Sequence, residues 1–125
     1  MDKAGFVPGF HVIDAYGNGG FRFADMSHRG SILLLPTGVH ALDLAEGDVI
    51  GLPHVQALLD EPRGAVDLLL IGSGRGLVPV PESLRWIFRE RGIGVEAMPT
   101  GAAARTYNVL TGERRRVAAL LVAVP

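Results

Sequence analysis

The chain has no cysteine. That excludes disulfides, thiol nucleophiles and thiolate metal sites, and it leaves the redox compartment unassigned. Lysine is almost missing as well: Lys3 is the only one, so arginine carries nearly all the basic charge. Arginine offers a planar fork of donors suited to carboxylates and phosphates. A genome rich in G and C explains the same composition. The formal net charge is −1, which gives no global pull toward nucleic acid or anionic membranes. No run approaches the roughly 20 apolar residues of a membrane helix, and the apolar stretch from Val117 to Pro125 is too short. Met1-Asp2-Lys3-Ala4-Gly5 lacks a basic n-region followed by an apolar h-region, and it lacks an Arg-rich amphipathic presequence. The expectation is therefore a cytoplasmic, bacterial protein without a transmembrane segment.

What is present is enough for one domain over residues 1–125, with 1–9 as a disordered tail. At 48% hydrophobic residues the chain can build a full core without staples, burying roughly two-thirds of its unfolded surface.

Phe10 to Tyr16 alternates like a strand. Gly17-Asn18-Gly19-Gly20 is a turn, because Asn and Gly accept positive φ cheaply, and Phe21 to Ala24 continues a hairpin. Ser27 to Gly30 reads as another turn. Ser31 to Leu35 is a nearly continuous apolar run, as expected for a strand covered on both faces. Pro36-Thr37-Gly38 ends or bends it, and Val39 to Leu44 resumes it. Ala45 to Ile50 reads as loop and Pro53 to Leu59 as a short helix.

The second half alternates strand and helix. Val66 to Ile71 is a buried strand broken by Gly72-Ser73-Gly74-Arg75. A helix runs from Pro81 to about Arg91, with Gly92 past its end and Leu84, Ile87 and Phe88 as its apolar stripe. Ile93 to Met98 is a strand, and Thr100 to about Leu110 is the second long helix. Val117 to Val124 is apolar on both faces and belongs in the middle of a covered sheet. This is an α/β unit preceded by a hairpin-rich region.

Two loops are candidates for binding. Gly72-Ser73-Gly74-Arg75 directly follows a strand, where ligands collect in open α/β sheets. It falls short of a dinucleotide fingerprint, which would need glycine at Leu77, and no Lys-Ser/Thr pair makes it a P-loop. A plain turn and an anion-binding loop both fit. The second is Pro99-Thr-Gly-Ala-Ala-Ala-Arg-Thr-Tyr-Asn108. There Thr100 is expected to cap the helix with its hydroxyl, and Gly101 with three alanines leaves the first turn bare for an anion or for close packing. If the two strands are parallel, Ser73, Arg75, Thr100, Gly101 and Arg105 converge at one edge. Arg105, Tyr107 and Asn108 add polar groups beyond it. Glu113 with Arg115 or Arg116 is expected to be solvated, or to brace the Asn108 region.

Catalytic spacing is poor. His11, His28, His40 and His54 show no HxH or HExxH pattern, so neither metal nor cofactor is expected. Ser73 lacks the G-x-S-x-G elbow and a placed histidine. Trp86 reads as core or helix cover. Arg114-Arg115-Arg116 is too short for a nucleic-acid stripe.

Taken in order, Ile13-Asp-Ala-Tyr-Gly-Asn-Gly-Gly-Phe21, Gly30-Ser-Ile-Leu-Leu-Leu-Pro-Thr-Gly38, Leu70-Ile-Gly-Ser-Gly-Arg75, Arg91-Gly-Ile-Gly-Val95, Pro99 to Leu110 and Arg115-Arg-Val-Ala-Ala119 resemble the Mth938-like family, also called DUF498. That family includes the mitochondrial assembly factor 3 of respiratory complex I. The resemblance implies a three-layer α/β fold with a mixed central sheet and a last strand antiparallel to its neighbours. It places Gly72, Gly74, Thr100, Ala102, Arg105, Asn108, Glu113, Arg115 and Arg116 at family-pattern positions. The family often has glycine where this chain has Arg114, and tryptophan near Leu42. A glycine at 114 permits positive φ; arginine makes it costlier.

The functional expectation is a non-catalytic binding or assembly module with protein partners. The alternative is a small-anion binder or minor enzyme using Gly72–Arg75 and Thr100–Arg105. A purely structural oligomer subunit is a third reading.

Overall fold

The computed structural model describes residues 5–125. Its strands are β1 (Phe6–Pro8), β2 (Ala15–Gly17), β3 (Gly20–Phe23), β4 (Met26–Arg29), β5 (Ser31–Leu35), β6 (Gly38–Leu42), β7 (Leu68–Gly72), β8 (Gly94–Met98) and β9 (Val117–Leu121). The helices are α1 (Leu52–Leu59), α2 (Glu82–Glu90) and α3 (Thr100–Gly112). The main sheet has the order β1-β6-β5-β9-β7-β8, and β2-β3-β4 form a small second sheet.

Period-two side-chain alternation divides the core between two faces. Leu33, Leu35, Leu69, Ile71, Ala118 and Leu120 point to one face, where they meet Val55 and Leu58 of α1 and Leu84 and Phe88 of α2. Ile32, Leu34, Leu70, Val117, Ala119 and Leu121 point to the other, against Ala103, Ala104 and Tyr107 of α3 and Phe21 and Phe23 of the small sheet. This is the three-layer α/β arrangement with a mixed central sheet. The apolar runs of β5 and β9 are buried on both faces at the middle of the sheet.

Several local expectations need correction. Strand β9 is antiparallel to β5 and parallel to β7, so it is the seam between the two halves of the sheet, not antiparallel to both neighbours. Ser27 and His28 lie in strand β4, and the preceding turn is Ala24-Asp25, both at positive φ (51° and 58°). No glycine marks that turn, so composition hid it. Residues 38–42 fold back on β5 as an antiparallel partner rather than resuming it. Of the expected tail, residues 1–4 lie outside the described residues, while Phe6–Pro8 pair with β6 as an edge strand. Residues 10–14 belong to no strand, although Asp14 N–H donates to Arg22 O of β3 (2.8 Å). Helix α3 runs on through Thr111 and Gly112, past the expected stop.

Candidate functional site

Strands β7 and β8 are parallel, and β9 is parallel to β7. Their carboxyl ends therefore open at one rim, the usual ligand edge of such sheets. The two glycine-bearing loops meet there. Gly74 N–H donates to Thr100 Oγ1 (2.9 Å), Thr100 N–H donates to Gly74 O (2.8 Å) and Ser73 N–H donates to Met98 O (3.0 Å). A Cβ on Gly72 would lie 2.9 Å from Thr100 Cα and 3.1 Å from Ala103 Cβ. Glycine is required at 72 because α3 is seated directly on the strand end.

The rim is filled by the chain itself. Thr100 is fully buried, and its hydroxyl also donates to Val122 O (2.7 Å). The hydroxyl thus ties β7, α3 and the chain after β9 together. The expected cap inside α3 is absent; Pro99 takes the N-cap position and makes no side-chain cap bond. Ser73 Oγ donates back to Gly76 O (2.6 Å). Tyr16, reaching over from β2, sets its hydroxyl where a Gly101 side chain would stand.

Arg75 binds an anion, and that anion belongs to the protein. Its backbone N–H donates to Glu46 Oε2 (2.6 Å), and its guanidinium donates to both carboxylate oxygens (2.9–3.1 Å). The Glu46 carboxylate also covers Gly74, whose virtual Cβ lies 2.7 Å from it. Hydrogen bonds from Arg75 hold the Glu46 carboxyl below its ordinary range. Glu46 sits in a segment that reads only as loop, and no periodic or motif signal singles it out.

Arg105 does not join that rim. It is exposed, and it borders an open cleft of about 400 Å³ with Asp14, Tyr16 and Asn108. Asn108 accepts from Ile13 N–H (3.0 Å) and donates to Ile13 O (2.7 Å), copying one rung of a strand pair. Tyr107, wholly buried, directs its hydroxyl to His11 O (3.4 Å), and burial pushes its pKa up to about 12. The segment 10–16 is thereby strapped along α3. The basic cluster does not brace Asn108. Arg116 pairs with Asp67 (3.1 Å) and donates to Gly64 O (2.9 Å), while Glu113 and Arg115 are exposed at the end of α3.

Arg114 stands at φ 64°. Its N–H donates to Thr111 O (2.9 Å), and Arg115 N–H donates to Leu110 O (3.0 Å). This is the closing pattern in which glycine normally occupies the left-handed residue.

The histidines are dispersed. His11 bonds Pro8 O (2.9 Å), His54 accepts from Gly51 N–H (2.8 Å) and His40 lies against Phe6 at 4.6 Å. Trp86 is more than half exposed on α2, with Arg89 5.7 Å from its ring, so it is not a core residue.

Sequence reasoning missed the strap's outer surface. Phe10, Val12, Tyr16 and Val109 are exposed by 53, 40, 44 and 59%. The alternation of 10–16 marks Phe10, Val12 and Tyr16 as one side of a strand, whereas the segment joins no sheet before Ala15, and Val109 lies on α3.

The comparisons with known proteins agree on a family. A model described as "Protein of unknown function (DUF498/DUF598)" matches residues 13–122. An uncharacterized protein of Rhodobacter capsulatus is 40% identical over 98% of this chain and 89% of its own length. An NADH dehydrogenase [ubiquinone] 1 alpha subcomplex assembly factor 3 from Xenopus tropicalis is 25% identical over 90% of this chain, which spans 61% of that protein. Among solved structures, one described as an outer membrane protein from Bartonella henselae has 51% identity and a TM-score of 0.89, covering 94% of this chain and 98% of its own. A solution structure from Bordetella pertussis, described as a Mth938-like domain, has 31% identity and a TM-score of 0.76 over 90% of this chain and 85% of its own. The match over residues 13–122 and the shared fold show that this chain belongs to the Mth938-like, DUF498 family.

Proposed function

We infer that this chain is a non-catalytic binding or assembly module whose partner is a protein. The observation that carries the reading is the strap along α3. It leaves Phe10, Val12, Tyr16 and Val109 exposed on the segment and helix that Asn108 and Tyr107 hold together. Large apolar side chains left exposed along one segment and the helix it follows are what an interaction surface offers. Arg105, in an open cleft with Tyr16, adds a guanidinium fork, and arginine and aromatic residues are enriched at interfaces. The Xenopus relative's name gives the reading its direction, the assembly of respiratory complex I. Bacterial relatives support a bacterial host, and a cytoplasmic site of action completes the proposal. Among the described residues, no helix is long and apolar enough to cross a membrane.

The test is tagged co-purification from the host, comparing the parent with a Val12→Asp, Val109→Asp double variant. Both positions are exposed, so the variant should keep its unfolding midpoint. The parent should recover one partner in stoichiometric amount and the variant should lose it. Repeated recovery of nothing, or equal recovery by both, would contradict the reading.

The alternative, a small-anion site at the rim, draws on Arg75, which already grips a carboxylate. An incoming anion would have to displace Glu46. Glu46→Gln should therefore raise affinity for phosphate or a dicarboxylate, read from the Arg75 and Gly74 amide signals. No movement of either signal at millimolar anion would end that alternative.

A further inference from the structure

Another concave surface lies away from α3's rim, on the small sheet. Antiparallel register places Ala15, Arg22 and Ser27 on one rung, and Gly17, Gly20 and Arg29 on a rung two residues away. Period-two alternation puts all six on the same face of the sheet. The opposite face carries Phe21 and Phe23, buried against the core. The outward face is thus a floor almost without side chains, with an arginine rising from each rung.

That floor is dictated by the backbone. Gly17 has φ 123°, a conformation that L side chains rarely adopt. A Cβ on Gly20 would run into the His28 carbonyl of β4. Small residues are needed for the hairpin to close, and the recess follows from them. It belongs to a cleft of about 440 Å³ that the intervening rung, Tyr16, Phe21 and His28, also lines.

Arg22 and Arg29 occupy diagonal positions of neighbouring strands, roughly 7–8 Å apart at the backbone and within mutual reach of long side chains. Both are exposed, and neither forms an ion pair with a carboxylate among the described residues. Arg22 donates to Ser27 Oγ (2.9 Å), which orients its guanidinium across the face. Two like charges held on one sheet face repel each other. An anion lying between them would relieve that repulsion and receive donors from both forks, the geometry that suits phosphate.

We propose that the outer face of the small sheet is a binding site for a small phosphate-bearing molecule, held between Arg22 and Arg29 over the glycine floor. The chemistry is that of a phosphate or diphosphate group, with Ser27 placing one arginine. This site shares no arginine with the rim or with the partner surface, although Tyr16 borders both the cleft and that surface.

The test is an amide NMR titration of the intact chain with pyrophosphate and, in parallel, ADP, with sodium chloride at matched ionic strength as control. Signals of Gly17, Gly20 and Arg29 should move saturably with pyrophosphate and stay still with chloride. If ADP binds equally, the diphosphate alone is read; if it binds more tightly, the base also uses the floor. Arg22→Gln with Arg29→Gln should weaken pyrophosphate binding at least about tenfold, corresponding to about 1.4 kcal/mol. The circular dichroism spectrum should match the parent, since both residues are exposed. Arg89→Gln, exposed on α2 and outside the cleft, should leave binding unchanged. Absence of saturable shifts at 17, 20 and 29, or equal binding by the double variant, would overturn the proposal.

Discussion

The two ends of helix α3 meet the rest of the molecule in opposite ways. At its beginning every prominent polar group is satisfied inside the chain: Thr100 binds Gly74 and Val122, and Arg75 holds Glu46. Further along, the same helix grips segment 10–16 through Asn108 and Tyr107, and leaves Phe10, Val12, Val109 and Arg105 toward solvent. The lesson is that a bare, glycine-bearing helix start signals close approach, and that the approaching group here is protein. The sequence feature that resembles a ligand cradle is a joint, and the surface left over for others lies beside it.

This contrast can be broken most sharply at the joint. Thr100→Val keeps the shape but leaves Gly74 N–H and Val122 O buried without that partner, so it should cost about 3 kcal/mol in chemical denaturation. Gly72→Ala should cost a similar or slightly smaller amount, about 2–3 kcal/mol, because its Cβ would press on backbone and on Ala103. If either proves neutral, the joint is not structural.

The grip on the strap is tested by alkali. Tyr107 is raised to about 12 by burial, while an unfolded tyrosine titrates near 10. The folded state therefore holds the proton more tightly. The stability tied to the neutral phenol is complete below pH 10 and is lost as pH rises toward 12. The loss should reach about 2–3 kcal/mol, and Tyr107→Phe should abolish that part of the pH dependence.

A smaller effect comes from the far end of α3. Arg114→Gly relieves a left-handed arginine and should stabilise by about 1 kcal/mol, measured as a raised unfolding midpoint. Helix α2 already ends this way, with Gly92 at φ 71° and Ile93 N–H bonded to Phe88 O (2.9 Å).

Much of this was legible in residues. The apolar runs of β5 and β9 announced a sheet covered on both faces, and the Gly17–Gly20 turn announced the first hairpin. The meeting of Ser73 with Thr100 followed from parallel strands. What stayed hidden was set by tertiary contacts of side chains with no local signature. Glu46 stands in an irregular loop, and only the folded chain brings it to Arg75. The Ala24-Asp25 turn has no glycine and puts an alanine, a residue that seldom takes positive φ, in its first position, so Ser27 and His28 looked like the turn instead of a strand. Arg105 sits one and a half turns into α3, which carries it past the rim where sequence proximity to Thr100 had placed it.

The most direct test of the contrast is site-specific photocrosslinking in the host, with a photoreactive residue at Val109 or at Gly76. Both positions are exposed, but only the first lies on the strap side of α3. A discrete protein adduct from position 109 and none from position 76 is the expected result. An adduct from 76 with none from 109 would place the working surface at the rim and contradict the account.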